Sequence, residues 1–117
     1  MFKNPLILAA LAAAFAPPAF ASAFWAGEVI NVSGDDVLNL RKWPAAYSQV
    51  IHEYDNGDNI SLTGRCKNTA TNVSFYIDGS QSASWKYNRM KKANVWCQAM
   101  SPDAGLGWVR GKYVWPQ

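Results

Sequence analysis

The sequence predicts an all-β domain, and three features of residues 24–117 lead to that prediction. Apolar residues recur with a period of two, which is the spacing of one face of a β-strand. The short apolar segments are separated by turns rich in Gly, Asp, Asn and Pro, as in sandwiches and barrels. No stretch combines an amphipathic helical pattern with convincing capping residues. We therefore expect about five to six short strands around one small core.

Residues 1–23 have the layout of a secretory signal peptide. Lys3 gives a basic start, an apolar run follows over 6–15, and Ala21-Ser22-Ala23 offers the small residues that a signal peptidase recognises. We expect cleavage after Ala23 and export to the periplasm or out of the cell. The alternative is an uncleaved membrane anchor, which the shortness of the apolar run disfavours.

Cleavage after Ala23 would leave 117 − 23 = 94 residues, which suits one small, monomeric domain. Without Lys3, ten basic residues face eight acidic ones, a net charge of +2 that is too small to indicate nucleic-acid binding. One basic cluster is either a solvated face or a surface that attracts an anionic envelope polymer or an acidic protein. It consists of Lys86, Arg89, Lys91 and Lys92.

Alternation and turn residues place the strands in order along the chain. Pro44 cannot donate to a strand ladder, so the segment around it is predicted to be an irregular loop. Asn56-Gly57 favours positive φ and predicts a tight turn. The predicted strands are 27–32, 37–40, 50–54, 60–66, 93–100 and 106–110, with a closing turn at 111–114.

A long insertion, residues 67–92, separates the fourth and fifth predicted strands. It alternates apolar and polar residues on both sides of a turn at 78–81, so we predict an inserted β-hairpin. The apolar positions are Val73, Phe75 and Ile77 on one arm and Ala83, Trp85 and Tyr87 on the other. A short helix over 82–92 is the competing prediction.

Cys66 and Cys97 are the two cysteines of the chain. In a small exported domain, such a pair is expected to form one structural disulfide. Strand 60–66 precedes strand 93–100, and neighbouring antiparallel strands bring Cα atoms within disulfide range. A reactive cysteine would need a partner that stabilises the thiolate, and nothing near either residue in sequence supplies one.

Two segments resemble the bacterial Src-homology-3-like (SH3-like) family, a small β-barrel of exported proteins. They are Leu38-Asn39-Leu40-Arg41 and Gly107-Trp108-Val109, and Trp96-Cys97 resembles the Trp before the second Cys in exported members. Where the family commonly has Gly-Pro, this chain has Trp43-Pro44. The resemblance covers residues 27–114 apart from the insertion. It implies an SH3-like barrel and a ligand groove whose rim Trp43 and Tyr47 would line.

The abundance of aromatic residues is the main functional signal. Several lie in predicted loops or in the insertion, where they either cap a small core or form a binding surface for glycan rings, peptides or proteins. The candidate ligand-binding residues are Trp43, Tyr47, Trp85, Tyr87, Lys86 and Arg89.

The sequence offers little for catalysis. His52 is the one histidine, in a predicted strand, and the pairs Asp35-Asp36 and Asp55/Asp58 lie in turns that favour Asp for local bonding. One His and two disulfide-forming Cys make no zinc site, and no phosphate loop or nucleophile elbow is present. We therefore expect no enzyme, no cofactor and no metal.

Two functions follow as expectations. The resemblance implies a non-catalytic module that binds cell-wall peptidoglycan or an envelope protein. The alternative is a protein–protein factor, such as an inhibitor or immunity protein acting on an envelope enzyme, with a protruding hairpin as its contact surface.

Overall fold

The computed structural model describes residues 24–117, so the predicted signal peptide lies outside the described residues. Their elements are strands β1 (Trp25–Val29), β2 (Leu38–Arg41), β3 (Val50–Tyr54), β4 (Asn59–Asn68), β5 (Val73–Tyr76), β6 (Val95–Ser101), β7 (Gly105–Arg110) and β8 (Val114–Pro116), helix α1 (Ala83–Met90), and a 3₁₀ turn at Gly111–Tyr113. The all-β prediction is confirmed. Within 24–117, no helix is long and apolar enough to span a membrane.

All eight strands belong to one antiparallel sheet. Seven follow the order β3-β2-β7-β6-β4-β1-β8, and β5 pairs with β4 beside that path. The ends of the path, β3 and β8, do not pair with each other, so the sheet stays open where the sequence predicts a closed barrel. Helix α1 packs on β8 and adds Met90 to the core.

β4 is the central element because it pairs with three strands. Its first half pairs with β1 and its second half with β5, while β6 runs along its other side. Gly64, with φ of +91°, lies at the change of partner, where the register with β6 also shifts. A Cβ there would lie 3.1 Å from the Ile77 carbonyl oxygen, so glycine permits both the bend and the close approach of the insertion.

One face of the sheet forms the core. As the alternation predicts, Leu38 and Leu40 are buried while Asn39 and Arg41 lie on the opposite face. The same alternation in β6 buries Cys97 and Ala99 on the core side. Cys66 and Cys97 are directly paired across β4 and β6 and form the predicted disulfide, with Cα atoms 4.0 Å apart.

The insertion is half strand and half helix, so the prediction of a β-hairpin is wrong for its second arm. β5 lies in the predicted first arm, but 83–90 form α1, as in the competing prediction. Ser82 caps the helix: its hydroxyl accepts a hydrogen bond from the Trp85 N–H at 3.2 Å. The exposed turn at 78–81 lies close to β1, because a Cβ at Gly79 would be 3.2 Å from the Trp25 ring.

Candidate functional site

The loop between β2 and β3 presents two aromatic side chains to solvent. Trp43 is 63% exposed and Tyr47 is 93% exposed. Both were predicted as ligand-binding residues. Exposure of this extent means that these two rings do not cap the core, which was the alternative explanation for them.

Hydrogen bonds fix the conformation of this loop. The buried Ser48 hydroxyl accepts from the Trp43 N–H at 2.8 Å, and the Ser48 carbonyl accepts from Arg41 Nη1 at 2.8 Å. The Ala45 N–H donates to the Trp43 carbonyl, and the Ser48 N–H donates to the Ala45 carbonyl. The backbone beneath the two rings is therefore ordered before any ligand arrives.

Two further candidates stack on one side of α1. Arg89 follows Trp85 by four residues, one helical turn, and its guanidinium carbon lies 4.2 Å from the centroid of the Trp85 ring. Trp85 is half-buried against the core and Arg89 is exposed. This pair borders a shallow depression with Asn88 and Lys92.

Lys86 and Tyr87, also predicted as ligand-binding residues, make contacts within the domain. The buried Lys86 ammonium donates to the carbonyls of Gly79 at 3.1 Å and Gln117 at 3.0 Å. It also lies 4.5 Å from the Trp25 ring centroid. The Tyr87 hydroxyl donates to the Lys112 carbonyl at 2.8 Å. Lys86 is therefore not part of an exposed basic cluster. The other three residues predicted for that cluster, Arg89, Lys91 and Lys92, are exposed.

The six candidates therefore divide into two groups. Trp43 and Tyr47 share the β2–β3 loop, and the other four lie on α1. Among residues 24–117, hydrogen bonds and ring contacts of the α1 group lead to the insertion, to β1 and to the C-terminal segment, and none reaches Trp43 or Tyr47.

A pocket beside the β2–β3 loop was not predicted. It has a volume of about 200 Å³ and is bordered by Arg41, Arg110, Trp96, Asn39 and Ala46, among others. Strand alternation could have indicated this pocket, since it places the pocket residues that belong to β2, β6 and β7 on the face opposite the core. The pattern within one strand shows which side chains face away from the core, but it does not show that Asn39, Arg41 and Trp96 border the same pocket.

A second groove runs between β5 and the end of α1. Val73, Phe75 and Val95 form its apolar part, and Arg89 and Lys92 form its basic part. Its volume is about 320 Å³. β5 is paired with β4 on one side only, so its other edge is open.

The titratable groups show one ion pair in the described part of the chain, between His52 Nδ1 and Asp103 Oδ1 at 3.5 Å. Next to it, burial raises the pKa of Tyr54, and the carboxylates of Asp103 and Asp58 raise it further. Within 24–117, no group of three or more His, Cys, Asp or Glu residues has the arrangement of a metal site.

Comparison with known proteins gives no assignment. No protein-family model matches the chain, and no curated protein or solved structure is significantly similar to it. The resemblance to the bacterial SH3-like family thus rests on the sequence motifs in β2 and β7 and on Trp96-Cys97 in β6.

Proposed function

We propose that this protein is an exported, non-enzymatic binding module of the bacterial SH3-like class that uses its β2–β3 loop to bind peptidoglycan or another envelope component. The single observation behind the proposal is that an internally hydrogen-bonded loop holds Trp43 and Tyr47 in solvent.

Exposed aromatic rings on ordered backbone are suited to recognition. Each ring offers a large flat contact area and has few rotatable bonds to immobilise, so little conformational entropy is lost on binding. Because Ser48 and Arg41 already fix the loop, a ligand would not have to order it. Such platforms match sugar rings and peptide backbones.

The disulfide supports the exported location. Cys66 and Cys97 are bonded, and disulfides persist in oxidising compartments and are rare in the cytosol. The described residues hold no unpaired cysteine. This agrees with the predicted signal peptide and supports export to a compartment where envelope polymers are found.

Removing both rings tests the proposed surface. We expect the oxidised protein to co-sediment saturably with isolated peptidoglycan sacculi, and Trp43→Ala/Tyr47→Ala to weaken binding about tenfold or more, since aromatic anchors dominate interface energies. Tyr76→Ala is the matched control, because Tyr76 is 75% exposed but lies on β5. Circular dichroism would check that both variants remain folded.

Equal binding by the wild type and the double variant would exclude this loop as the binding surface. Equal losses in the double variant and in Tyr76→Ala would indicate general adhesion of exposed rings.

The open edge of β5 favours a second candidate function, binding of a protein partner such as an envelope enzyme. The Ile77 N–H donates to the Gly64 carbonyl at 2.8 Å, so ladder alternation turns the N–H groups of Ser74 and Tyr76 away from β4. An edge of this kind can accept a strand from another protein. The exposed apolar residue Val73 and the basic groove lie beside it.

Proline at position 74 tests the second candidate. Ser74→Pro would remove one outward N–H without removing a bond to β4, whereas Ser74→Ala keeps that N–H. If the protein inhibits a wall-degrading muramidase through strand addition, inhibition should fall strongly in Ser74→Pro and persist in Ser74→Ala. Equal inhibition by both variants would exclude the β5 edge.

A further inference from the structure

The face of the sheet opposite the core is basic and aromatic around β2, β6 and β7. Arg41 pairs with Trp108, and Arg110 pairs with Trp96, so these four side chains belong to the same face. Antiparallel register then places Asn39 across from Arg110 and leaves Arg41 diagonal to it. Two guanidinium groups from neighbouring strands therefore border one small area of the sheet.

The pocket of about 200 Å³ described above lies in this area. Trp96 is only 4% exposed and forms part of its wall, and the guanidinium carbon of Arg110 lies 5.0 Å from the Trp96 ring centroid. A guanidinium that packs on an aromatic ring keeps its in-plane N–H groups free for other partners. Arg41 donates to the Ser48 carbonyl through Nη1, which leaves its other N–H groups for a ligand.

Neither arginine has an acidic partner. Within 24–117 the one ion pair joins His52 and Asp103, and no Asp or Glu lines the pocket. The acid nearest in register is Glu53, which pairs with Asn39 from β3, is exposed, and forms no ion pair with either guanidinium. Half-buried arginines usually have their charge balanced by a carboxylate or a phosphate.

We propose that Arg41 and Arg110 bind an oxyanion, the carboxylate or phosphate of a ligand, in this pocket. Two planar guanidinium groups match the paired oxygens of either group. The volume admits one such group and a few attached carbon atoms, which can contact Trp96 and Ala46. Because Ala46 belongs to the β2–β3 loop, the inference rests on the proposed function: the oxyanion belongs to the same envelope target that contacts Trp43 and Tyr47.

Small probes test the pocket separately from the target. We would titrate the oxidised protein with acetyl-alanyl-alanine, with its C-terminal amide, and with methyl phosphate, following amide and side-chain NMR signals of Arg110 and Trp96. We expect saturable shifts with the free carboxylate or with methyl phosphate, and affinity at least about tenfold lower for the amide. The oxyanion that binds more tightly identifies the source, peptide carboxylate or polymer phosphate.

Arg110→Gln is the decisive variant, because Arg110 makes no hydrogen bond that holds the loop, whereas Arg41 does. Arg65→Gln is its control: it removes the same charge from an exposed residue outside the pocket. We expect Arg110→Gln to lower probe affinity at least about tenfold and Arg65→Gln to change it less than about twofold. Equal effects would mean diffuse attraction and overturn the proposal, as would probes that shift no signal in the pocket.

Sacculus binding separates this proposal from the proposed function. Loss of probe binding in Arg110→Gln, with probe binding retained in Trp43→Ala/Tyr47→Ala, supports the pocket whatever the sacculi show. If the probes fail to bind while sacculi still bind through Trp43 and Tyr47, the pocket proposal is overturned and the proposed function stands.

Discussion

Tyr54 combines a buried ring with a hydroxyl that has no hydrogen-bond partner among the described residues. An unpaired buried hydroxyl costs stability, since it loses water and gains nothing in return. We expect Tyr54→Phe to raise the free energy of unfolding by about 1 kcal/mol at neutral pH, measured by urea denaturation. Tyr47→Phe is the control, because the Tyr47 ring is exposed, and it should leave the free energy of unfolding unchanged. A loss of stability in Tyr54→Phe would mean that the hydroxyl has a partner.

The same residue sets an expected pH dependence. Burial, followed by the carboxylates of Asp103 and Asp58, raises the pKa of Tyr54 above its ordinary value of 10.0. The folded state then holds the proton more tightly than the unfolded state, so this contribution is present below pH 10 and is lost as pH rises through the folded pKa. Stability should fall less steeply above pH 10 in Tyr54→Phe.

At the residue scale the sequence predicted inward and outward positions well, and it predicted polar burial poorly. Alternation placed Leu38, Leu40 and Cys97 in the core because period two is a local property of a strand. Lys86 was predicted at the surface, but its ammonium is buried. Its partners, the carbonyls of Gly79 and Gln117, lie outside the helix, 7 and 31 residues away, so the pattern within the helix could not reveal them.

Among the elements, α1 depends on one glycine for its position. Gly111 lies against the C-terminal turn of the helix: a Cβ there would overlap the Met90 carbonyl oxygen and lie 3.0 Å from its carbonyl carbon. We expect Gly111→Ala to cost about 1–3 kcal/mol of unfolding free energy and to shift NMR signals of α1.

Gly34→Ala is the control for that substitution, because nothing lies within 4 Å of a Cβ at Gly34. If both alanine variants were equally stable, the close contact between Gly111 and the helix would not constrain the fold.

The helix shows why the second arm of the insertion was mispredicted. Ala83, Trp85 and Tyr87 alternate as a strand would, but Lys86 and Met90, four residues apart, form the buried side. A lysine on the buried side conceals the apolar stripe that identifies a helix. Ser82 was the available signal, since a serine before good helix formers marks an N-cap.

For the whole molecule, the disulfide is the expected source of a large share of stability. Cys66 and Cys97 are 31 residues apart, and the entropy lost by an unfolded chain closed over that length corresponds to about 3–4 kcal/mol. We expect Cys66→Ala/Cys97→Ala to lower the urea midpoint accordingly, with little further change on adding reductant. If the double variant were as stable as the oxidised protein, the disulfide would contribute little to the free energy of unfolding.

The order of the strands in the sheet was less predictable than the positions of most of them, and the sheet has eight strands where about five to six were expected. Six of the eight strands lie at predicted strands outside the insertion, with small differences at their ends, because turn chemistry is local. Their order is set by contacts between distant residues, such as β1 with β8. β8 was missed because it has three residues and ends in proline. The open edges of the sheet follow from that order, which single-strand patterns do not contain.

The Cys66–Cys97 bond has a further consequence for the integrity of the chain. Every peptide bond from Lys67 to Trp96, including the exposed turn at 69–72 between β4 and β5, lies between the two bonded cysteines. A protease that cuts there would leave two polypeptides joined covalently across β4 and β6. The clipped molecule would therefore migrate as one species on a non-reducing gel and separate into two fragments only after reduction. Cleavage within the insertion therefore does not separate the two parts of the domain while the disulfide is intact.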